Sequence, residues 1–264
     1  MNCINFRSFL VQRWNLKTIF ASMKTKYSTV LALAFALIVT TVSGQTYQVF
    51  KGDTINRLDK NKSKQGEWRK YFQTDTLFSQ GNYENDIPVG TFHSYHKTGK
   101  VQAELVYRGK TKICDAKIFA ETGEMIASGK YVNQQKDSLW TYYDDKGVLT
   151  AKDNFVKGKK DGLAMVYYPN GKISRSVTYK SDVMIGAFDE YFESGSKKVQ
   201  ATMKNGEFIG QALVFHPNGN IWQKGQYQNG LKHGIWIILK ETGDIEKEEQ
   251  YSKGKLLNPS PEGD

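Results

Sequence analysis

Hydrophobic and small residues recur along most of this 264-residue chain with a period of 24 residues. A small residue begins each unit, and aromatic residues stand five and seventeen positions later, each in seven of eight units. The units begin at Gly66, Gly90, Cys114, Ser138, Gly162, Gly186, Gly210 and Gly234. A period kept without insertion over eight units predicts a repeat protein.

Two turns punctuate each unit. One carries glycine nine residues in, as in Asn170-Gly171, and the other falls nineteen and twenty residues in, as in Asn205-Gly206. Glycine adopts positive φ angles without a steric penalty, as tight hairpin turns require. Each unit is therefore predicted to be a β-hairpin with the first turn at its tip. The second turn links it to the next hairpin.

The two strands of a unit differ in the regularity of their pattern. The second strand alternates, so that Ile221 and every second residue to Tyr227 are expected on one face. In the first strand, the aromatic residues Trp140 and Tyr143 are three apart and therefore of opposite parity. Either a bulge turns the strand, or both faces of the sheet carry aromatic rows.

Sixteen short strands joined by tight turns leave no room for crossover connections. The predicted fold class is therefore all-β, an elongated antiparallel β-meander of eight 24-residue β-hairpin repeats over residues 66–257. Each unit adds about 10 Å at the usual strand spacing. Residues 45–65 are expected to form an N-terminal capping segment, because end units of a repeat array need caps. Residues 258–264 are a polar tail.

The N-terminal region has the pattern of an export signal. A basic stretch from Met23 precedes the apolar run Val30–Val42, and the small residue Gly44 stands before Gln45. The apolar run is shorter than the roughly 20 residues that a membrane-spanning helix needs. Residues 1–44 are thus interpreted as upstream residues plus a signal peptide, with translation starting at Met23. The protein is therefore expected to be exported to the periplasm, the outer surface or the medium, with the signal peptide cleaved after Gly44.

Composition and charge agree with an exported sheet protein. The chain has 37 Lys and Arg, 27 Asp and Glu, 2 Cys and 13% aromatic residues. Loss of residues 1–44, with five basic and no acidic residues, would lower the net charge from +10 to +5 and leave Cys114 as the one cysteine. Such a charge is typical of a solvated surface, so no nucleic-acid partner is expected.

The repeat units resemble a known family. The stretch GLAMVYYPNGKISRSVTYKSD, and QGQYQNGLKHGIW across a junction, are similar to the bacterial variant of the MORN repeat, found in antitoxin components of the YwqK type. The resemblance covers residues 66 to about 257. Ala116, Ala164 and Ala212 depart from it where an aromatic residue is usual. It implies hairpin repeats, with roles from toxin neutralisation to membrane or protein attachment.

The polar residues do not form the pattern of a catalytic or metal-binding site. His96 and His216 occupy the same place in units five apart, so the strand spacing puts them about 50 Å from each other along an extended sheet. His93 and His96 are close in sequence but supply only two of the ligands that zinc takes. His233 is the fourth histidine, and Cys114 has no histidine paired to it in repeat register. No catalytic, cofactor-binding or metal-binding residue is predicted, and no cofactor.

Other charged and aromatic groups have ordinary explanations. The carboxylates Asp144, Asp145, Asp161, Asp189 and Glu190 fall at turns or exposed strand positions, where a solvated face is more usual than a glycosidase pair. Lysines near the turns can contact anionic lipids or polysaccharide, but solvated turns are the commoner case; these are Lys157, Lys159, Lys160, Lys197 and Lys198. The aromatic rows can stack sugar rings, although core packing is the first expectation.

The function predicted from these observations is an exported, non-enzymatic repeat or scaffold module. It would bind a protein, glycan or membrane-surface partner through an extended sheet face. The alternative is an antitoxin-like protein that neutralises a partner toxin by direct binding, as the resemblance implies. Open strand edges at both ends also make end-to-end self-association possible.

Overall fold

The computed structural model describes residues 40–42 and 44–257, with backbone only for residues 40–42. Most of the predicted signal segment and the whole polar tail lie outside the described residues. Those residues form twenty strands and no helix. The strands are β1 Thr40–Val42, β2 Gln45–Phe50, β3 Asp53–Leu58, β4 Lys64–Tyr71, β5 Leu77–Glu84, β6 Ile87–Tyr95, β7 Val101–Tyr107, β8 Ile113–Phe119, β9 Met125–Val132, β10 Gln135–Tyr143, β11 Leu149–Val156, β12 Lys159–Tyr167, β13 Ile173–Lys180, β14 Val183–Tyr191, β15 Lys197–Lys204, β16 Glu207–Phe215, β17 Ile221–Gln228, β18 Leu231–Leu239, β19 Ile245–Ser252 and β20 Lys255–Leu256.

Each strand pairs antiparallel with the next strand along the chain, from β1 with β2 to β19 with β20. The sixteen strands predicted from the repeats are β4 to β19. The all-β meander of hairpin repeats is therefore confirmed. Residues 45–58, ahead of the first repeat, add the hairpin of β2 and β3, and Ile55 within it is 2% exposed.

The hairpin tips close with a tight turn and a left-handed glycine. In one tip the Gly171 amide donates to the Tyr168 carbonyl at 2.9 Å, and the Tyr168 amide donates to the Lys172 carbonyl at 2.8 Å. Gly171 has a φ of 81°. Ile173, two residues after Gly171, pairs with Tyr167, and Arg175 pairs with Val166. A bulge at position 174 therefore follows the tip.

The linking turns place two consecutive residues in the left-handed region. Asn205 and Gly206 have φ angles of 53° and 83°, as a two-residue type I′ turn requires. The Gly206 amide then donates to the carbonyl of Met184, one repeat earlier, at 3.0 Å. Successive linking turns are thus stacked by backbone hydrogen bonds.

A bulge at the start of the repeat resolves the question left open by the sequence. Gly162 has a φ of 112°, and the register of β11 with β12 shifts between Asp153 and Phe155. Beyond this bulge the strand is regular, so its two aromatic positions lie on opposite faces. Both alternatives therefore hold: the strand is bulged, and both faces carry aromatic rows. On the second strand, a bulge between Ile221 and Gln223 breaks the predicted alternation at its first residue.

The third repeat differs from the others at its start. Cys114 pairs directly with Tyr107 and has no positive φ angle, and no register shift interrupts β7 and β8. The preceding turn is longer, since the Arg108 amide donates to the Ile113 carbonyl at 3.0 Å. A residue with a side chain is readily accommodated at position 114, because this repeat lacks the bulge that gives glycine, or Ser138 in the fourth repeat, a positive φ angle.

Candidate functional site

The two faces of the sheet are used differently, and one of them contains the core. We call it the core face and define it by the third residue of each repeat and the facing residues of the second strand. Two clusters of buried residues lie on it: Cys114, Ala116, Ile118, Ala127, Tyr131, Trp140 and Phe155 in the first, and Ala164, Val177, Phe188, Ala201, Met203, Ala212 and Trp236 in the second. Aromatic rings contact one another along this face, as Tyr83, Phe92 and Tyr107 do with centroids 5.2 Å apart.

Side-chain size on the core face is matched between neighbouring repeats. A Cβ atom placed on Gly81 would overlap the ring of Phe92, and one on Gly129 would overlap Trp140. Gly225 and Trp236 have the same relation. Four of the glycine positions that face a following repeat hold a larger residue, and three of these face alanine, in the pairs Leu105–Ala116, Asp153–Ala164 and Ala201–Ala212. The exception is Val177, which pairs with Phe188. The three alanines that depart from the family pattern thus face a residue larger than glycine or another alanine.

A polar cluster is built into the core face at the fourth repeat. The Lys136 ammonium lies 4.2 Å from the Trp140 ring centroid and donates to the Tyr142 hydroxyl at 2.8 Å. Asp153 is 8% exposed, and its carboxylate is 2.7 Å from the Lys160 ammonium. Burial lowers the pKa of Lys136 to about 8, and burial raises the pKa of Tyr142 above its usual range.

A second lysine–tryptophan pair occupies the same place four repeats later. The Lys232 ammonium lies 4.1 Å from the Trp236 ring centroid, and burial lowers its pKa. Glu249 stands where Asp153 stands in the fourth repeat, and its carboxylate is 2.8 Å from Lys247. Lys136 and Lys232 were not among the candidate residues predicted from the sequence. Their signal is a lysine two residues before the repeat start, and it recurs at positions 64, 112, 136, 160 and 232.

The other side of the sheet, which we call the open face, carries a separate row of residues. The row is the sixth residue of each repeat: Tyr71, Tyr95, Phe119, Tyr143, Tyr167, Tyr191, Phe215 and Leu239, all partly exposed. Successive members are two strands apart, about 10 Å at the usual strand spacing. Within the described residues, no two rings of the row contact each other. The rings of the open-face row are thus separate from one another, whereas the core face packs its rings together.

Polar side chains surround the middle of this row. Ser176 pairs with Met165 and Thr178 with Leu163, which places both hydroxyls on the open face with Tyr167. These two hydroxyls and that of Thr202 have no hydrogen-bond partner in the described part of the chain. The Lys152 ammonium lies 5.8 Å from the Tyr167 ring centroid.

Two charged groups near this row compensate each other, and the row becomes apolar at its end. Asp189 is neutralised by Lys197 at 2.9 Å. The last two members of the row are Phe215 and Leu239, and Ile235 on the same face is 54% exposed.

The tip residues bind across neighbouring repeats, and this accounts for two of the histidines. The imidazole Nε2 atoms of His96 and His216 lie 3.0 Å from the carbonyls of Phe119 and Leu239. Tyr168 replaces histidine in the fifth repeat, and its hydroxyl donates to the Tyr191 carbonyl at 2.8 Å. These side chains hold adjacent hairpin tips together.

The other candidate residues from the sequence lie apart from one another. His93 is 3.7 Å from Glu104 on the open face, beside a depression of ≈ 480 Å³ that Phe119 also lines. His233 is exposed. Cys114 is 2% exposed, and burial raises the pKa of its thiol to about 11. A thiol that stays protonated at neutral pH is a poor nucleophile.

The candidate carboxylates serve turns and ion pairs. Asp144 accepts hydrogen bonds from the amides of Lys146 and Val148, both at 2.9 Å, inside a hairpin tip. Asp161 lies 3.2 Å from the ammonium of Lys180. The residues that the structure describes hold no group of three or more potential metal ligands. No helix within that part is long and apolar enough to cross a membrane.

Comparison with known proteins supports the repeat assignment. Residues 64–85, 160–181 and 209–229 match the MORN repeat variant. Each segment covers most or all of one hairpin of the observed sheet: β4 with β5, β12 with β13, and β16 with β17. The chain is thus a repeat protein that carries MORN-variant units at three places. No curated protein matches it.

One solved structure is similar over much of this chain. It is a chain in the crystal structure of TcdB2-TccC3-Cdc42, at 11% sequence identity and a TM-score of 0.22. The similarity covers 82% of this chain and 14% of that chain. The present chain therefore spans a small part of the length of that chain.

Proposed function

We propose that this protein is a non-catalytic binding scaffold. Its core face holds the repeats together, and its open face binds an extended partner. The observation that carries the proposal is the contrast between two aromatic residues of one strand. Trp140 is 0% exposed, whereas Tyr143, three residues later on the other face, stays partly exposed.

A repeated row favours an extended partner over a small one. Each repeat contributes one equivalent ring, so a ligand that lies along the row makes the same contact several times. Each contact can be weak, because connected contacts multiply the overall affinity. A row of partly exposed rings suits a partner that lies along the surface better than a molecule enclosed in a pocket.

We also propose that the protein is exported and that the segment from Met23 to Gly44 is removed. The basic stretch, apolar run and small residues of this segment support the proposal. The test is the intact mass and N-terminal sequence of the protein from fractionated cells. A chain beginning at Gln45 outside the cytoplasm is expected. An uncleaved cytoplasmic chain would contradict export.

The binding role is tested with cell envelopes from the organism that makes the protein. A triple variant, Tyr143→Ala, Tyr167→Ala and Tyr191→Ala, should keep its fold and lose binding to these envelopes. The matched control replaces the same three residues by phenylalanine, which keeps the rings. Equal binding by the wild type and the alanine variant would contradict the role of the open face.

A further inference from the structure

We infer that the open face binds a linear, uncharged polysaccharide, one disaccharide to each repeat. The inference rests on the proposed function and names the ligand of the same surface. It follows from three observations on the central tyrosines Tyr143, Tyr167 and Tyr191: their spacing, the unpartnered hydroxyls on the same face, and the low net charge of their surroundings.

The spacing is that of an extended polymer with a two-sugar repeat. Successive rings are separated by two strands, or about 10 Å. In flat chains such as cellulose and chitin, each sugar is flipped relative to the one before it. The same face of the sugar ring therefore meets a surface once in every disaccharide. A disaccharide of two extended sugar rings is close to this length. One protein repeat therefore matches one repeat of the ligand.

The isolated rings suit the apolar side of a sugar. A pyranose ring has a side lined by C–H groups, and burying it against an aromatic ring removes apolar surface from water. The core-face rings are not available for this contact, since they pack edge to face with each other, as Tyr131 and Trp140 do with centroids 4.9 Å apart. On the open face, no ring of the row contacts another within the described residues.

The hydroxyls on the open face match the chemistry of the ligand. Ser176, Thr178 and Thr202 have hydroxyls without a hydrogen-bond partner in the described residues. A hydroxyl both donates and accepts, as each hydroxyl of a sugar does. A partner rich in hydroxyls can therefore satisfy these groups along the row without a fixed pattern of donors and acceptors.

The charges argue against an anionic partner at the same place. Near the three tyrosines, Asp189 is neutralised by Lys197 at 2.9 Å, which leaves Lys152 as the cation closest to Tyr167. Membrane and nucleic-acid surfaces are usually bound by clusters of several lysines or arginines. The middle of the row instead pairs rings with neutral hydroxyls, which favours an uncharged polymer.

The test measures binding of the full-length protein to cellulose, chitin and xylan and to their soluble disaccharides and hexasaccharides. We expect sedimentation with at least one polymer. We also expect its hexasaccharide to bind at least about tenfold more tightly than the disaccharide, because it covers three rings. Each replacement of Tyr143, Tyr167 or Tyr191 by alanine should weaken binding by about tenfold, and each phenylalanine replacement much less.

A second pair of variants tests the hydroxyls without removing a ring. Ser176→Ala and Thr178→Val should each weaken hexasaccharide binding by about three- to tenfold and leave the unfolding midpoint nearly unchanged. These variants keep the test valid even where a ring substitution disturbs folding. Binding that is the same in the hydroxyl variants and the wild type would overturn the assigned contacts.

The outcomes separate this inference from the proposed function. No binding to any of the three polymers overturns the polysaccharide assignment, as does polymer binding that the alanine substitutions leave unchanged. Binding to vesicles of anionic lipid that is lost in the ring variants overturns the ligand class but keeps the open face as the binding surface. Loss of envelope binding in the triple variant, with no polymer binding, has the same meaning.

Discussion

Gly129 provides the space that the indole ring of Trp140 fills in the next hairpin. A Cβ atom on Gly129 would overlap that ring, and Trp140 is 0% exposed. The indole N–H also donates to the Lys130 carbonyl at 3.0 Å. The same geometry recurs 96 residues later, where the Trp236 indole donates to the Gln226 carbonyl at 3.1 Å beside Gly225. The two positions are therefore coupled through packing.

The first prediction concerns this coupling. Gly129→Ala should destabilise the protein by about 1–3 kcal/mol, because the new methyl group overpacks the core face. Trp140→Ala should cost about 3–5 kcal/mol through the cavity that it leaves. In the double variant the methyl group occupies part of that cavity, so the two costs should fall short of additivity by about 1 kcal/mol or more. Chemical denaturation of the four proteins measures this.

Ser128→Ala is the matched control for the first prediction. It adds no volume and lies on the same strand, but on the open face, so it should change the unfolding free energy by no more than about 0.5 kcal/mol. Strictly additive effects of the two core substitutions would show that Gly129 and Trp140 do not share one space.

The second prediction concerns the linking turns. Asn133 and Gln134 have φ angles of 50° and 64°, but the corresponding second residue in four other turns is glycine. Gln134→Gly should therefore stabilise the protein by about 0.5–1 kcal/mol, since glycine relieves the left-handed strain at some cost in chain entropy. Gly206→Ala should destabilise it by about 1 kcal/mol. The midpoints of urea denaturation should move in opposite directions. A loss of stability on Gln134→Gly would contradict this account of the turns.

The third prediction concerns pH and Lys136. Burial lowers the pKa of this lysine to about 8 in the folded protein, below the value of about 10.4 in an unfolded chain. Between these two values the unfolded state binds more protons, so this group's contribution makes stability rise with pH. The rise from about pH 7.5 to 9.5 should be on the order of 1–2 kcal/mol.

The third prediction is measured as a difference between two proteins. Lys136→Met removes the titrating group and retains much of the side-chain volume. The difference in unfolding free energy, variant minus wild type, should be largest near pH 7.5. It should fall as the pH rises to 9.5. Cys114 is present in both proteins, and burial keeps the pKa of Tyr142 well above this pH range, so these groups contribute little to the difference. A difference that stays constant over this range would show that Lys136 titrates normally.

Much of the fold followed from residues whose conformation has few alternatives. Gly171 and Gly206 marked the two turns because positive φ angles favour glycine, and both angles are present, at 81° and 83°. The 24-residue period then fixed the order of the strands. The faces of the first strand could not be deduced from the sequence. Trp140 and Tyr143 have opposite parity, and the bulge that shifts their strand against the preceding strand depends on how the two strands pair.

The polar cluster and the size matching were beyond sequence reasoning for a related reason. Gly129 and Trp140 are eleven residues apart on different strands, and only the bulged register brings them together. Lys136 and Asp153 look like ordinary surface residues in the sequence. Their environment is set by neighbouring strands, which surround Lys136 with the rings of Trp140 and Phe155 at 4.2 and 5.1 Å.

The most direct test of the two-face account compares two tyrosines of one repeat. Tyr179 packs against the second core cluster, and Tyr167 lies on the open face. Tyr179→Ala should lower the unfolding free energy by about 2–4 kcal/mol. Tyr167→Ala should change it by less than about 1 kcal/mol and reduce envelope binding. Chemical denaturation and envelope binding are measured for both variants and for the wild type. A larger loss of stability for Tyr167→Ala, with envelope binding intact, would contradict the account.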